Sequence, residues 1–209
     1  MKKGFLVAFE GIDGCGNSTQ IKKLTAHLES KKVAVHATAE PSFGPVGKLI
    51  RQALVQSSSL DEHTLALLFA ADRLDHLQRE IEPALAAGAV VLCDRYVLSS
   101  LAYQSQTLPM DWVALINRQA RTPDLTLFLE ISAGSAARRR RLRAHPESRF
   151  ESLERQKNAA EAFRTALRGY NVVGQGCMID AEAAVDAVTQ QAIVALDALL
   201  DGVAARPGG

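Results

Sequence analysis

Four short apolar runs punctuate the chain: Phe5-Leu-Val-Ala-Phe9, Val33-Ala-Val-His-Ala37, Val90-Val-Leu-Cys93 and Leu125-Thr-Leu-Phe-Leu129. Three of the four are almost continuously apolar, the pattern of a strand covered on both faces. Between and after them the sequence predicts helices over Ser18 to Ser30, Pro45 to Gln56, Asp61 to Ala87, Met110 to Arg121, Ala136 to Arg143, Glu151 to Tyr170 and Ala181 to Leu200, with Met178-Ile179 marking a fifth strand. Such alternation means βαβ units: an α/β fold with a parallel sheet and helices on both faces. Asp61-Glu-His-Thr gives the longest helix an acidic first turn and Gly88 follows its end, the start and stop chemistry of a helix, while Pro83 is expected to kink its last turn. No internal repeat interrupts this order. Residues 1–203 read as a single domain with one mobile insert at about 138–150, and residues 204–209, rich in Pro and Gly, as a fraying tail.

Composition narrows the partners. The 209 residues are 47% hydrophobic and carry 24 basic against 23 acidic side chains, a net charge of +1. This suits a soluble domain but gives no overall grip on a polyanion, so nucleic acid is excluded as a general partner and basic chemistry must be local, as at Arg138 to Arg143. Cys15, Cys93 and Cys177 are too few and too scattered for a disulfide framework or a zinc site, which points to a reducing compartment. The run Gly4 to Phe9 ends at Glu10 without a small-residue cleavage pattern, so it reads as a strand rather than a signal peptide. No stretch approaches the roughly eighteen uninterrupted apolar residues of a membrane span. The expected location is the cytoplasm, with no membrane partner.

The first site signal lies where the first run ends. Gly11-Ile-Asp-Gly-Cys-Gly16 directly follows the strand and opens the first helix, so backbone amides and the helix N-terminus converge on one point suited to a phosphate. The spacing G-x-x-x-x-G followed by Ser18-Thr19 matches the Walker A pattern at every position but one: residue 17 is Asn, not Lys. That lysine ordinarily supplies a mobile positive charge that follows the transferred phosphoryl group. Asn17 is neutral and shorter, and removing one preorganised donor typically costs about 10²–10³ in turnover, roughly 3 to 4 kcal/mol. The backbone cradle from Gly11 to Gly16 (through Ile12, Asp13, Gly14 and Cys15) survives, with Ser18 as a magnesium ligand and Thr19 beside it. Binding is therefore expected to outlast catalysis.

Further along, Phe69 and Arg73 lie four apart on a predicted helix and share a face. The ring can then stack on a base while the guanidinium donates to its edge; the same spacing equally suits a core phenylalanine beside an arginine paired with a carboxylate. Asp94-Arg95-Tyr96 follows a strand at the carboxyl edge of the sheet, where α/β proteins bind ligands. Asp94 is placed to organise magnesium and its waters, and Arg95 to clamp phosphates, the competing reading being a structural salt bridge between the two. The arginine run fits a lid that closes over phosphates. Consecutive helical residues step by about 100°, so the four arginines from Arg138 cannot all face one site.

Taken in order, five segments make the chain resemble the thymidylate kinase family of P-loop nucleoside-monophosphate kinases. They are Phe9-Glu10-Gly11-Ile12-Asp13-Gly14, Glu40-Pro41 with Gly47 to Arg51, Leu68-Phe69-Ala70-Ala71-Asp72-Arg73, Asp94-Arg95-Tyr96 with Ser99 to Gln104, and Arg149-Phe150-Glu151. The resemblance implies a P-loop NTPase fold with a five-stranded parallel sheet, ATP as donor, magnesium, dTMP as acceptor, and a homodimer packed through helices that include the long third one. It implies thymine as the base at Phe69 and Arg73, Ser100 as a partner for the base edge, Tyr103 as a platform under the deoxyribose, and Gln104 as a further polar contact. It places Asp13 on the acceptor's sugar and phosphate side, Glu40 at the acceptor pocket, Arg51 on the monophosphate, and Arg149 in the lid as the catalytic arginine, with Arg141 and Arg143 as further candidates; Phe43, in a segment that departs from the family pattern, is expected to line the acceptor pocket. A lid arginine can contribute about 10³–10⁵ in rate, enough to offset part of the missing lysine. The chain departs from many bacterial relatives in carrying Ala39 before Glu40-Pro41 and Ser42-Phe43-Gly44 after it. Two other readings stand beside dTMP kinase: a nucleotide-binding pseudokinase or regulatory protein of the same fold, and a kinase for another monophosphate.

Overall fold

The most apolar runs become the inner strands. In the computed structural model, which describes residues 4–55, 60–142, 152–172 and 174–204, β1 (Phe5–Glu10), β2 (Val35–Ala39), β3 (Val90–Asp94), β4 (Leu125–Glu130) and β5 (Gln175–Asp180) form one parallel sheet. The order is β2-β3-β1-β4-β5, so the interrupted run that yields β2 lies on one edge and the weakly apolar β5 on the other. Side chains alternate faces along each strand. Phe5, Val7 and Phe9 join Val90 and Leu92 in one cluster, while Leu6 and Ala8 join Val91 and Cys93 in another.

The helices cover both faces. α1 (Asn17–Ser30) and α9 (Val185–Ala204) pack together, and Leu24, Leu28, Val188, Ala192 and Leu196 enter the first cluster. α2 (Pro45–Val55) lies along α3 (Glu62–His76), and α5 (Val97–Gln104) along α8 (Leu153–Gly169). The remaining helices among the described residues are α4 (Glu82–Ala86), α6 (Met110–Ile116) and α7 (Ala133–Arg141). Among the described residues no helix is long and apolar enough to cross a membrane.

Several boundaries differ from the sequence pattern for identifiable reasons. The predicted Asp61–Ala87 helix starts as expected, with the Asp61 side chain accepting from the Thr64 amide at 3.0 Å, but it is broken by a π-helical stretch over Leu77–Ile81. Pro83 then sits in the first turn of α4, where its missing N–H is tolerated. The irregularity thus precedes the proline instead of following it. α6 ends at Ile116, not Arg121, because Asn117 turns its amide back to donate to the Val113 carbonyl at 2.9 Å. α5 went unpredicted because all eight of its residues are buried, leaving no polar face to set a helical period. α7 begins three residues early, where the Ser132 hydroxyl accepts from the Ser135 amide. The last helix begins at Val185, not Ala181, since Asp180 still belongs to β5. Arg143 and Arg149, with most of the expected lid, lie outside the described residues.

The parallel sheet brings every strand's carboxyl end to one edge. From β1 the chain moves outward to β2, and from β3 it crosses to β4 on the other side, so β1 and β3 flank the point where the direction of winding reverses, the place where open α/β sheets form their crevice. Phe163 of α8 anchors one wall: it is fully buried, edge-on to Tyr103 at 5.9 Å and against Phe128 at 5.3 Å. We expect Phe163→Ala to destabilise the fold by about 3–5 kcal/mol, measured by urea unfolding; a loss below about 1 kcal/mol would refute this packing role.

Candidate active site

The loop after β1 turns through left-handed backbone that suits glycine. Gly14 has φ +94, and a Cβ there would lie 2.6 Å from the Ala136 carbonyl oxygen, so α7 rests directly on the loop. Gly16, at φ 114, precedes α1 and accepts from the amides of Thr19 at 3.0 Å and Gln20 at 3.1 Å. Asn17 is buried at the loop's floor. Its Nδ2 donates to the Phe9 carbonyl at 3.1 Å and to Asp94 Oδ1 at 3.0 Å, while its Oδ1 accepts from the Cys15 thiol at 3.1 Å. Asn17 thus ties β1 to β3 and brings no charge. Burial pushes the Cys15 thiol up to about 12, so it remains a donor. The Ser18 hydroxyl donates to Asp94 Oδ2 at 2.9 Å. A hydroxyl and a carboxylate oxygen, adjacent and facing the loop, form the hard oxygen set that suits magnesium.

Arg95 follows β3 with φ +71, a sparsely populated conformation for a side-chain-bearing residue. Strong contacts hold it there: Asp13 Oδ1 at 2.5 Å, the Gly11 carbonyl at 3.0 Å, Ser99 Oγ at 3.1 Å and the Tyr103 ring beneath. Its carboxylate partner is Asp13, not the adjacent Asp94. Asp13 is itself fixed by Gln156, whose Nε2 donates to Oδ2 at 2.7 Å and whose Oε1 accepts from the Asp13 amide at 3.0 Å. The same amide reaches the Tyr103 hydroxyl at 3.1 Å.

Arg73 is almost completely buried. Its Nε donates to Glu40 Oε2 at 2.9 Å and its Nη2 to Ser100 Oγ at 3.1 Å, while Nη1 donates to Asn117 Oδ1 and the Tyr96 ring lies 5.2 Å away. The carboxylate pairing and the shared face with Phe69 are therefore both present. Phe69, Arg73, Ser100, Tyr103 and Gln104 line a cavity of about 170 Å³ with Asp13, Glu40 and Arg95. Gln104 Oε1 is buried there with no hydrogen-bond partner among the described residues. A second cavity, about 330 Å³, is lined by Ile12 to Ser18 together with Glu40, Arg51, Asp94, Arg95 and Arg140. Asp13, Glu40 and Arg95 belong to both. One cavity, framed by aromatic and polar groups, thus meets a phosphate-loop cavity at the Asp13–Arg95 ion pair and Glu40.

Two expected residues are placed less centrally. Phe43 is 68% exposed and lines neither cavity; it carries the Arg51 guanidinium 4.6 Å from its ring centre, and Arg51 also donates to the Pro41 carbonyl. Arg141 is exposed. Behind Glu40, His76 lies between Glu40 Oε1 at 3.2 Å and Thr38 Oγ1 at 2.8 Å. Cys93 completes a compact group with these two, but Glu40 already neutralises Arg73 and the Cys93 thiol donates to the Arg95 carbonyl, so the group is a hydrogen-bonded core.

Sequence reading missed Gln156 and Asn117, and it gave no individual role to Ser99 within its segment or to Arg139 and Arg140 within the arginine run. Arg139 donates to the carbonyls of Cys15 at 3.2 Å and Ala181 at 2.7 Å, and Arg140 donates to the Asp13 carbonyl. Gln156 left one trace: it occupies the buried face of α8 with Ala159 and Phe163, a polar residue at a core position.

A glycine loop from β1 into α1, a carboxylate at the end of β3 and this sheet order define a P-loop NTPase fold. Residues 9–192 match the family description Thymidylate kinase. A protein of Pyrobaculum aerophilum named probable thymidylate kinase is 42% identical over 170 residues, covering 80% of this chain and 86% of its own. A Pyrococcus horikoshii protein of the same name is 42% identical over 147 residues (68% and 72%), and the thymidylate kinase of Desulfotalea psychrophila 41% over 165 (78% and 81%). The chain belongs to the thymidylate kinase family.

Glu10, at the end of β1, supports this edge from within. It accepts from the amides of Tyr96 at 3.0 Å and Ser99 at 3.2 Å and from the Ser99 hydroxyl at 2.5 Å. Burial nevertheless pushes its carboxyl from 4.5 up to about 7, despite the lowering effect of Ser99 and Arg95. The folded state then holds this proton more tightly than the unfolded chain, so its contribution is full below about pH 4.5, declines as pH rises through about 7, and is flat above. We expect the unfolding free energy to fall by about 2–3 kcal/mol more in the wild type than in Glu10→Gln between pH 5 and pH 8. Parallel pH profiles in urea titrations would contradict this.

Proposed function

We propose that the chain transfers the γ-phosphoryl group of ATP to dTMP, yielding ADP and dTDP, as a cytoplasmic enzyme whose residues 1–203 act as one kinase domain. The observation that carries the reading is the meeting of the two cavities at the Asp13–Arg95 pair. One side offers backbone amides for the donor's phosphates; the other offers Phe69 to stack on a pyrimidine and Arg73 and Ser100 to contact its edge. The unpartnered Gln104 Oε1 suits a ring N–H, and Tyr103 lies where the deoxyribose would pass.

An oxygen of the acceptor phosphate bonds to the γ-phosphorus as the bond to the β–γ bridging oxygen breaks, the electron pair leaving with ADP. Little covalent work falls to the protein, so positioning and charge neutralisation dominate. Arg95, held by Asp13, lies between acceptor and donor, and Arg51 approaches the phosphate cavity from α2. Ser18 and Asp94 would hold magnesium, which when bound neutralises and orients the donor phosphates. A homodimer packed through α3 fits the exposed Leu67 and Leu74, seven residues apart on one face of that helix.

A second reading, nucleotide binding without useful turnover, draws on the engagement of Asn17 by Cys15 of the loop, the Phe9 carbonyl of β1 and Asp94 at the end of β3. A coupled assay with ATP, magnesium and dTMP separates the two: turnover supports the kinase, whereas binding of both nucleotides with turnover only in Asn17→Lys supports the alternative. Arg73→Ala is expected to raise the KM for dTMP by about 10–100-fold and that for ATP by less than about threefold. Equal weakening of both would remove Arg73 from base recognition.

A further inference from the structure

Position 17 leaves the phosphate loop one positive charge short of its usual complement, and the same structure brings a different cation onto that loop. We propose that Arg140 of α7 supplies to the donor phosphates the charge that a lysine at position 17 would carry. The inference rests on the phosphoryl-transfer reading above and adds to it a catalytic residue specific to this chain.

Geometry selects Arg140 from the arginine run. Positions three and four apart share a helical face, and Ala136, Arg139 and Arg140 form the face of α7 seated on the loop. A Cβ on Gly14 would meet the Ala136 carbonyl at 2.6 Å and the Arg140 Cγ at 3.1 Å. Arg139 clamps the Cys15 carbonyl at 3.2 Å and the Ala181 carbonyl at 2.7 Å, which fixes the helix against both the loop and the end of β5. Arg140 donates to the Asp13 carbonyl and lines the phosphate cavity alongside Ser18 and Asp94. Arg138 turns away to Ser135 Oγ at 2.6 Å. Arg139 is thus a positioning residue, and Arg140 the one that reaches the cavity.

Charge points the same way. Among the described residues lining this cavity, three carboxylates, Asp13, Glu40 and Asp94, face three guanidiniums, Arg51, Arg95 and Arg140. Arg95 is bound to the Asp13 carboxylate at 2.5 Å, and Arg51 is engaged by Pro41 and Phe43 on the α2 side. Glu40 is neutralised from behind by Arg73, so Arg140 adds a positive charge to a lining that is otherwise balanced against an incoming polyphosphate. Asn17 remains at the floor, where its amide keeps β1 and β3 together, so the two tasks of the usual lysine, fastening the loop and neutralising phosphate, are divided between two residues. As the γ-phosphorus exchanges its bridging oxygen for the acceptor oxygen, Arg140 offsets the charge developing on the bridging and γ-oxygens.

Steady-state kinetics on wild type, Arg140→Gln, Asn17→Lys and the double variant test this, with dTMP affinity and Tm measured on each. Arg140→Gln should lower kcat by about 10²–10³-fold in the native background but by less than about tenfold in the Asn17→Lys background, with dTMP affinity and Tm little changed. Arg140→Lys, which keeps the charge without the guanidinium fork, should retain kcat within about tenfold of wild type. The proposal is overturned if Arg140→Gln costs the same factor in both backgrounds, if Arg140→Lys falls as far as Arg140→Gln, or if only proteins bearing Asn17→Lys turn over. Absence of dTDP in every variant would instead overturn the dTMP reading, and the proposal with it.

Discussion

The Asp13–Arg95 ion pair is the point on which the site turns. Asp13 comes from the loop after β1 and Arg95 from the end of β3, two strands whose register is fixed by the pairing of Phe9 with Asp94. The carboxylate is oriented by Gln156 from α8, and the guanidinium by Gly11, Ser99 and the Tyr103 ring. A strong ion pair at a partly exposed edge needs such hydrogen-bonded support to hold one geometry. Because it belongs to both cavities, it sets the distance between whatever each of them binds.

The rest of the core keeps that distance. Phe163 packs α8 onto Tyr103 and Phe128, so the helix carrying Gln156 and the helix carrying Tyr103 move as one body. On the other side, Glu40 joins β2 to Arg73 of α3, and Asn117 at the end of α6 receives the same guanidinium. A buried arginine with several fixed acceptors is a rigid hydrogen-bond donor, since its fork has little freedom left to lose on binding.

Much of this was legible in the amino-acid order. The apolar runs of β1, β3 and β4 announce strands buried on both faces, and Gly11 to Ser18 carries its own spacing rule. Phe69 with Arg73 reveals itself because helical spacing puts the two on one face, whereas Ser100 and Gln104 were reached only through the family resemblance. Contacts that depend on distant folding left little mark: Gln156 meets Asp13 across 143 positions, and Asn117 reaches Arg73 only after α6 and α3 have packed. α5 escaped because complete burial erases the amphipathic period, and Arg139 and Arg140 could not be told from their neighbours until the seating of α7 on Gly14 set the helix's rotation. The competing reading of an Asp94–Arg95 bridge is not met: Arg95 leaves β3 through a left-handed turn and pairs with Asp13 on the loop after β1.

The cysteine within the phosphate loop has a chemical consequence of its own. Nucleophilic attack and oxidation proceed through a thiolate, yet burial holds Cys15 protonated and its hydrogen is engaged by Asn17. The loop therefore carries a sulfur atom while staying inert to mild oxidants and alkylating reagents in the folded state. Cys177, half-buried on the edge strand β5, is the thiol that such reagents encounter first.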